Sequence, residues 1–374
     1  MNKLKNSITV LLFLLITYVL TGCSFLHSVT TENPPLAPSS PATSTSSEEV
    51  IPSEIPLSGR SSFTIHYIDV GQADASLVLC DGKTMLIDGG NVADSSLIVA
   101  YLKKLNIDYL DYIVCTHAHE DHVGGLSGAL SVARAGVVYA PQTETNSKAY
   151  NNFLRKVSEQ NLRITHPTIG SCITLGNSNI QFIGPISEAT SDLNNSSIVL
   201  KITYGDTSFL FTGDAEREEE QTLLGKEMLE SDVLKVGHHG SDTSTSYPFL
   251  REVMPEYAVI SVGKSNSYGH PTETVLSRLR DADVKVYRTD LQGDIIVRSD
   301  GENITVTATK NENIQTNETA VEYTEGIYIG NKNSKKFHKP DCRTLPAKKN
   351  CVEFTSRADA MNAGYSPCRN CMGM

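Results

Sequence analysis

Hydrophobic and polar positions divide this chain into three regimes. An apolar run over residues 8–20 follows Lys3 and Lys5. It is too short and too soon ended for a bilayer span, and predicts a secretory leader over 1–22. Over 28–58 the chain turns to Ser, Thr, Pro and Glu with hardly an aromatic side chain. Such a stretch buries too little to offset chain entropy, so 23–60 is expected to be a flexible tether. From about residue 61 short apolar runs take over. They predict strands over 63–70, 75–79, 84–87, 110–114 and 137–139, with helices over 94–105, 122–133 and 147–159 between or after them. A second group of strands is expected over 172–175, 180–183, 198–204 and 208–211. Buried strands over 232–236 and 257–262, a helix over 272–279 and short strands to about 307 follow. Strands alternating with helices, then a second strand group, fit two sheets packed face to face with helices outside. A polar linker over 310–325 then leads to a small module over 326–374.

Composition adds an asymmetry. The 374 residues are 39% hydrophobic with a formal net charge of −11, which on average argues against nucleic acid. The last module, however, has nine Lys/Arg against Asp341, Glu353 and Asp359, whereas residues 23–325 carry 21 basic and 40 acidic residues. An acidic body with a basic tail is the split expected of a binding tail.

The richest chemistry lies at the mouth of the strand over 110–114, in Thr116-His117-Ala118-His119-Glu120-Asp121-His122-Val123-Gly124-Gly125. His117 and His119, two apart, can bring both rings to one ion, while Asp121 and His122 supply an oxygen and a nitrogen to a second. Imidazole with carboxylate suits zinc or manganese, and two such ions can activate water and neutralise a phosphoryl oxygen. Cys80, Cys115 and Cys172 sit singly in apolar runs and read as buried thiols. His166, before Pro167, reads as a surface residue.

That segment resembles H-x-H-x-D-H of the metallo-β-lactamase fold, and the resemblance extends over 63–307. It implies an α/β class protein with an αββα sandwich. Asp69-Val70-Gly71-Gln72-Ala73-Asp74-Ala75 resembles the D-V-G-Q-G-D-A opening of the hydrolase domain of ComEC-type competence proteins, with Ala73 in place of the second Gly. By the same resemblance, Asp88 of Asp88-Gly89-Gly90 orients the metal-binding turn from behind. Asp214 of Thr212-Gly213-Asp214 bridges both metals. One of His238 and His239 in His238-His239-Gly240-Ser241 ligates the second metal, with His238 the first choice. Where many members of the fold place a third histidine, this chain has Asn194-Asn195-Ser196-Ser197-Ile198-Val199-Leu200, similar to the N-N-x-S-x-V-L of ComEC-type domains. Asn195 and Ser197 therefore stand near a first metal that has fewer protein nitrogens. Gly263-Lys264-Ser265-Asn266-Ser267-Tyr268-Gly269-His270-Pro271 resembles another ComEC-type segment. There a proline-held His270, near Lys264 and Asn266, is expected to bind the scissile phosphate or protonate its leaving oxygen.

Two outer segments complete the reading. Leu20-Thr21-Gly22-Cys23 matches a bacterial lipobox, so Cys23 is expected to become an acylated N-terminus that holds the protein outside the cytoplasmic membrane. In the tail, His338-x3-Cys342 and Cys368-x2-Cys371 form a Cys3His set suited to tetrahedral zinc. Two disulfides among Cys342, Cys351, Cys368 and Cys371 are the alternative. The tail resembles the zinc-binding domain of the DNA-repair protein Ada, with His338 where that family has its first Cys. The resemblance implies a structural zinc and DNA affinity, without methyl transfer.

The expected activity is that of a cell-surface phosphodiesterase with two divalent ions, zinc or manganese, cutting DNA by metal-activated water. A phosphodiesterase acting on cell-wall or choline-bearing phosphates, and a DNA-capturing lipoprotein without catalysis, are the alternatives. No membrane-spanning channel segments of ComEC stand beside the hydrolase motifs, so DNA uptake itself is not implied, and no protein partner is inferable.

Overall fold

A computed structural model describes residues 62–142, 145–186, 192–225, 229–317 and 327–372. The expected leader, Cys23 and the tether lie outside them. The first half of the folded body supplies β1 (Phe63–Tyr67), β2 (Ser76–Cys80), β3 (Lys83–Ile87), α1 (Ser95–Lys104), β4 (Tyr109–Val114), α2 (Glu120–Val123), α3 (Leu126–Val132), β5 (Arg134–Tyr139), α4 (Lys148–Glu159) and β6 (Ile164–Thr165). The second half supplies β7 (Cys172–Leu175), β8 (Ser178–Gly184), β9 (Val199–Tyr204), β10 (Thr207–Phe211), α5 (Arg217–Leu223), β11 (Val233–Lys235), α6 (Tyr247–Val253), β12 (Tyr257–Ile260), α7 (Glu273–Asp281), β13 (Lys285–Arg288), α8 (Thr289–Gln292), β14 (Ile295–Ser299) and β15 (Ile304–Ala308).

These strands form an eight-stranded sheet, ordered β15-β14-β1-β2-β3-β4-β5-β6, and a seven-stranded sheet, ordered β13-β12-β11-β10-β9-β8-β7. Alternation along the strands explains the layering. Ile65, Tyr67, Val78 and Met85 of the first sheet meet Phe182, Leu200, Phe209 and Phe211 of the second in one buried core between the sheets. Opposite faces bury Leu77 and Leu86 beneath Ile98, Leu126 and Phe153, and Leu210 and Leu234 beneath Phe249, Val275 and Leu279. This is an αββα sandwich, the architecture expected from the order of apolar runs.

Departures are local. The expected helix over 122–133 is two helices, because Gly124 and Gly125 press their backbone against the turn after β3. A Cβ on Gly125 would stand 1.9 Å from the Gly89 carbonyl oxygen. Strand β1 ends at Tyr67 rather than 70, since the Val70 N–H turns back to the Ile68 carbonyl. Cys172 is exposed, contrary to the expectation of a buried thiol, because it belongs to β7 at the edge of its sheet.

The C-terminal module contains β16 (Tyr328–Asn331), β17 (Lys336–His338), β18 (Cys351–Phe354), α9 (Arg357–Asn362), β19 (Ser366–Pro367) and α10 (Arg369–Met372). Its four strands form a separate sheet over a core of Tyr328, Phe337, Ala360 and Tyr365. So small a core needs help from a metal. Among the described residues, no helix is long and apolar enough to cross a membrane.

Candidate functional site

Strand ends in both sheets carry the candidate residues to one rim. The turn after β4 presents His117 and His119, and α2 starts at once with Glu120, Asp121 and His122. Asp214 follows β10, and His238 and His239 follow β11 in a turn where both have positive φ, 49° and 53°. That turn is clamped from beneath. Glu220 of α5 accepts the N–H groups of Thr245 and Ser246, while the buried Arg278 guanidinium donates to the carbonyls of Ser244 at 2.8 Å and Thr245 at 3.2 Å.

Ligand atoms of Asp121, His122, Asp214 and His239 all lie within 4.8 Å of one another. Asp214 Oδ2 is 3.2 Å from His122 Nε2 and 3.7 Å from His239 Nε2, and His239 Nε2 is 3.3 Å from Asp121 Oδ2. Despite this closeness His122 Nε2, His239 Nε2 and Asp214 Oδ1 are buried without a hydrogen-bond partner. Buried polar atoms in folded proteins are nearly always satisfied. Two imidazole nitrogens and a carboxylate oxygen left open at one point fit a divalent cation.

The electrostatics agree with that fit. Asp74, Asp88, Asp121 and Asp214 converge on this rim, and Lys235 is the charged amine buried with them. Burial opposes charge on His122 and His239. Nearby carboxylates outweigh it, Asp214 and Asp88 around His122 and Asp214 and Asp74 around His239, so the His122 pKa rises and that of His239 reaches about 10. Burial alone would raise the Asp121 and Asp214 carboxyls. The histidines hold them low instead, Asp121 at about 2 and Asp214 well below the ordinary carboxylate range. The carboxylates gathered here thus supply surplus negative charge that a cation would neutralise.

The expected first-metal residues gather less tightly. His117 Nε2 lies 3.0 Å from His119 Nδ1 and 3.8 Å from Asp214 Oδ2. Burial, followed by the neighbouring His122, pushes the His117 pKa well down, leaving a neutral ring suited to ligation. Where a third histidine stands in other members, Ser197 Oγ accepts the Asp214 N–H at 3.0 Å and lies 3.3 Å from His117 Nδ1. Asn195 is one residue layer away, its Oδ1 accepting the Glu216 N–H at 2.9 Å. This half of the site holds two imidazoles and a shared carboxylate.

Residues behind these orient them. Asp88 accepts from the Thr116 N–H and hydroxyl, both at 2.7 Å, and lies 2.8 Å from His122 Nδ1, so His122 turns its Nε2 to the cluster. Asp74 Oδ1 is 3.4 Å from His239 Nδ1, which also lies 3.0 Å from the Ser261 carbonyl. Of the histidine pair, His239 has its ligand atom within the group, whereas His238, the first choice, lies outside it. His238 stands 23% exposed, its Nδ1 3.2 Å from both Glu216 and Thr243 and its Nε2 3.7 Å from Asp214 Oδ2.

Other expected residues take different places. Asn266 folds its amide onto its own loop, donating to the carbonyls of Gly263 and His270 and accepting the N–H groups of Tyr268 and His270. It shapes the turn that presents His270 rather than offering a free group to a substrate. Lys264 is exposed on that loop. Asp69 caps the Gly71 N–H and faces Lys310 at 3.6 Å, so its partners lie outside the cluster. His270 packs edge-on to His238, ring centroids 5.8 Å apart, and its Nδ1 is buried and unpartnered.

Three residues escaped the sequence reading. Lys235, 2% exposed, puts its Nζ 2.8 Å from Asp74 Oδ2. Glu216 holds His238, and Gln72 ties the opening turn to the later loop by accepting the Gly263 N–H at 3.1 Å. A lysine inside the apolar run Val233-Leu234-Lys235-Val236 is the one signal that was present.

In the small module, ligand atoms of His338, Cys342, Cys368 and Cys371 also gather within 4.8 Å. All seven described cysteines are free, with Cys342 Sγ and Cys368 Sγ 4.0 Å apart. Cys351 is outside the group, its thiol donating to the carbonyls of Pro346 and Ala347. Burial is the main influence raising the Cys371 thiol pKa to about 12. A soft cation would reverse that effect, as thiolates ligate and thiols do not.

Comparison with known proteins agrees with this geometry. Residues 310–373 match the metal binding domain of Ada. Over 253 residues the chain is 30% identical to ComE operon protein 3 of Bacillus subtilis, a match covering 63% of this chain and 33% of that protein. It is 36% identical over 228 residues to competence protein ComA of Neisseria gonorrhoeae, covering 60% of this chain and 30% of the other. Recombination protein 2 of Haemophilus influenzae is 30% identical over 244 residues, with 64% and 29% covered. The match spans about a third of the length of these curated relatives. Residues 68–264, more than half of the chain, match the metallo-beta-lactamase superfamily. With its sandwich and its rim of histidines and aspartates, the chain belongs to that superfamily.

Proposed function

We propose that this protein is a phosphodiesterase that hydrolyses DNA outside the cytoplasmic membrane, held there by a lipid on Cys23. The observation that carries the reading is the gathering of ligand atoms of Asp121, His122, Asp214 and His239 within 4.8 Å, with His122 Nε2, His239 Nε2 and Asp214 Oδ1 buried and unpartnered. Its similarity to competence proteins directs the choice of substrate.

Asp121, His122 and His239 would hold one divalent ion and His117 with His119 a second, with Asp214 shared between them. Zinc or manganese suits these donors, and a bound pair supplies water of lowered pKa and charge to neutralise a phosphoryl oxygen. The chain's own residues do the rest. Asp88 and Asp74 fix the ring orientations of His122 and His239. Ser197 holds the Asp214 backbone in place. His270 stands at the rim on a loop locked by Asn266, within reach of an incoming phosphate. The basic C-terminal module, with one structural zinc on His338, Cys342, Cys368 and Cys371, provides the hold on phosphates that an acidic body lacks.

Mature protein incubated with supercoiled plasmid and Mn2+ or Zn2+ is expected to nick it. Asp121→Ala should slow nicking by about 100-fold or more, since even residues behind metal ligands are worth about 10- to 100-fold. Hydrolysis of small phosphodiesters with DNA left intact would contradict the reading and favour cell-wall or choline-bearing substrates. DNA binding without turnover would leave a capturing lipoprotein.

A further inference from the structure

The loop between β12 and α7 carries a feature the hydrolytic reading does not use. Tyr268 is 71% exposed, the most exposed large hydrophobic side chain among the described residues. Its ring stacks on His270, centroids 5.7 Å apart and planes 26° from parallel. His270 meets His238 edge-on at 5.8 Å, and His238 meets His239 at 6.2 Å. A ladder of four rings therefore leads from the cluster to solvent, and Tyr268 is its outer rung.

The rung is held in place. Asn266 makes four hydrogen bonds within the loop, one of them to the Tyr268 N–H at 3.1 Å, and the Gly263 N–H is tied to Gln72. A ring fixed in advance binds without paying to be ordered. Charge narrows what it binds. The acidic body repels a phosphate backbone away from the cations, whereas the face of a nucleobase carries no net charge and stacks on tyrosine whatever its identity. Bases within a duplex are already stacked on one another and are not available to such a ring.

Resting on the DNA reading above, we propose that Tyr268 is a stacking platform for a nucleobase beside the scissile phosphate. The site consequently takes single-stranded DNA in preference to duplex. Tyr268 is a specificity-determining residue in this scheme and takes no part in the chemistry.

Metal-loaded full-length protein would be given a labelled oligothymidylate, the same strand with abasic positions throughout, and a blunt duplex. Cleavage and polarisation binding would both be measured for wild type, Tyr268→Ala and Tyr268→Phe. The expected result is preference for the single strand over the duplex, with about a ten-fold rise in KM and Kd for oligothymidylate in Tyr268→Ala. Tyr268→Phe should restore both, and the abasic strand should be bound equally poorly by wild type and Tyr268→Ala. Cleavage of oligothymidylate with the same KM in wild type and Tyr268→Ala would overturn the platform while leaving the nuclease reading standing, as would a wild-type preference for duplex. Binding that depends on Tyr268 without cleavage of any strand would support the platform and remove the nuclease reading.

Discussion

At the scale of single residues, the site depends on groups buried behind the ligands as much as on the ligands. Lys235 neutralises Asp74, which in turn faces His239. Lys235→Met would strand a buried carboxylate, and we expect a loss of roughly 3–5 kcal/mol in urea unfolding. Losing Asp74 as well should recover part of it. His238→Ala should leave Mn2+ affinity largely intact while His239→Ala lowers it, a contrast that isothermal titration reads directly. His66 supplies a pH test away from the metal rim. Burial, then Arg298 and Lys104, depresses its pKa from 6.5 to about 4, and its Nδ1 lies 2.9 Å from the Tyr101 hydroxyl. Native His66 therefore stays neutral while the unfolded chain takes up a proton below about pH 6.5. Stability attributable to His66 falls between pH 6.5 and pH 4 by about 3 kcal/mol, and His66→Gln should flatten that part of the profile. The candidate ligands of the turn after β4 stand out because six positions hold three histidines and an aspartate. Lys235 was obscured because a single charged residue inside a short apolar run reads as the solvent-facing position of a strand. Choosing between His238 and His239 needed backbone angles that adjacent identical residues do not reveal.

At the scale of elements, apolar runs were good guides wherever most of a strand is buried, as for β10 and β12. Short helices were harder to read. α5 consists of Arg217-Glu218-Glu219-Glu220-Gln221-Thr222-Leu223, whose acidic character suggests an exposed turn, yet Glu219 and Glu220 are buried. Glu220 spends its carboxylate on the backbone of the turn after His239, a long-range contact with no local signature. The break between α2 and α3 is likewise tertiary in origin. A Cβ on Gly124 would meet the Val92 backbone nitrogen at 2.2 Å. Gly124→Ala should shift the turn bearing Asp121 and His122, costing roughly 1–3 kcal/mol of stability by overpacking and more than ten-fold in nicking rate. An unaltered rate would separate that packing from the site.

At the scale of the whole molecule, two sheets deliver ligands from opposite halves of the sequence to one rim. The zinc-type module also makes a defined contact with the sandwich. Arg357 of α9 lies 2.9 Å from Asp281 and donates to Ser277 Oγ and Tyr247 Oη, both at 3.0 Å. Arg357→Ala should loosen the module, read as faster proteolysis between residues 310 and 327 with little change in the unfolding of the sandwich. The sequence separated module from body by charge and cysteine spacing, but an arginine in a basic segment gives no sign that it faces inward. In this arrangement Asp214 would complete a cation site with Asp121, His122 and His239. Its most direct test is calorimetric titration of metal-stripped protein with Mn2+, an ion that favours oxygen and imidazole over the thiolates of the small module. Saturable binding in the wild type that is lost in Asp214→Ala is the result expected, and equal binding in both proteins would contradict the account.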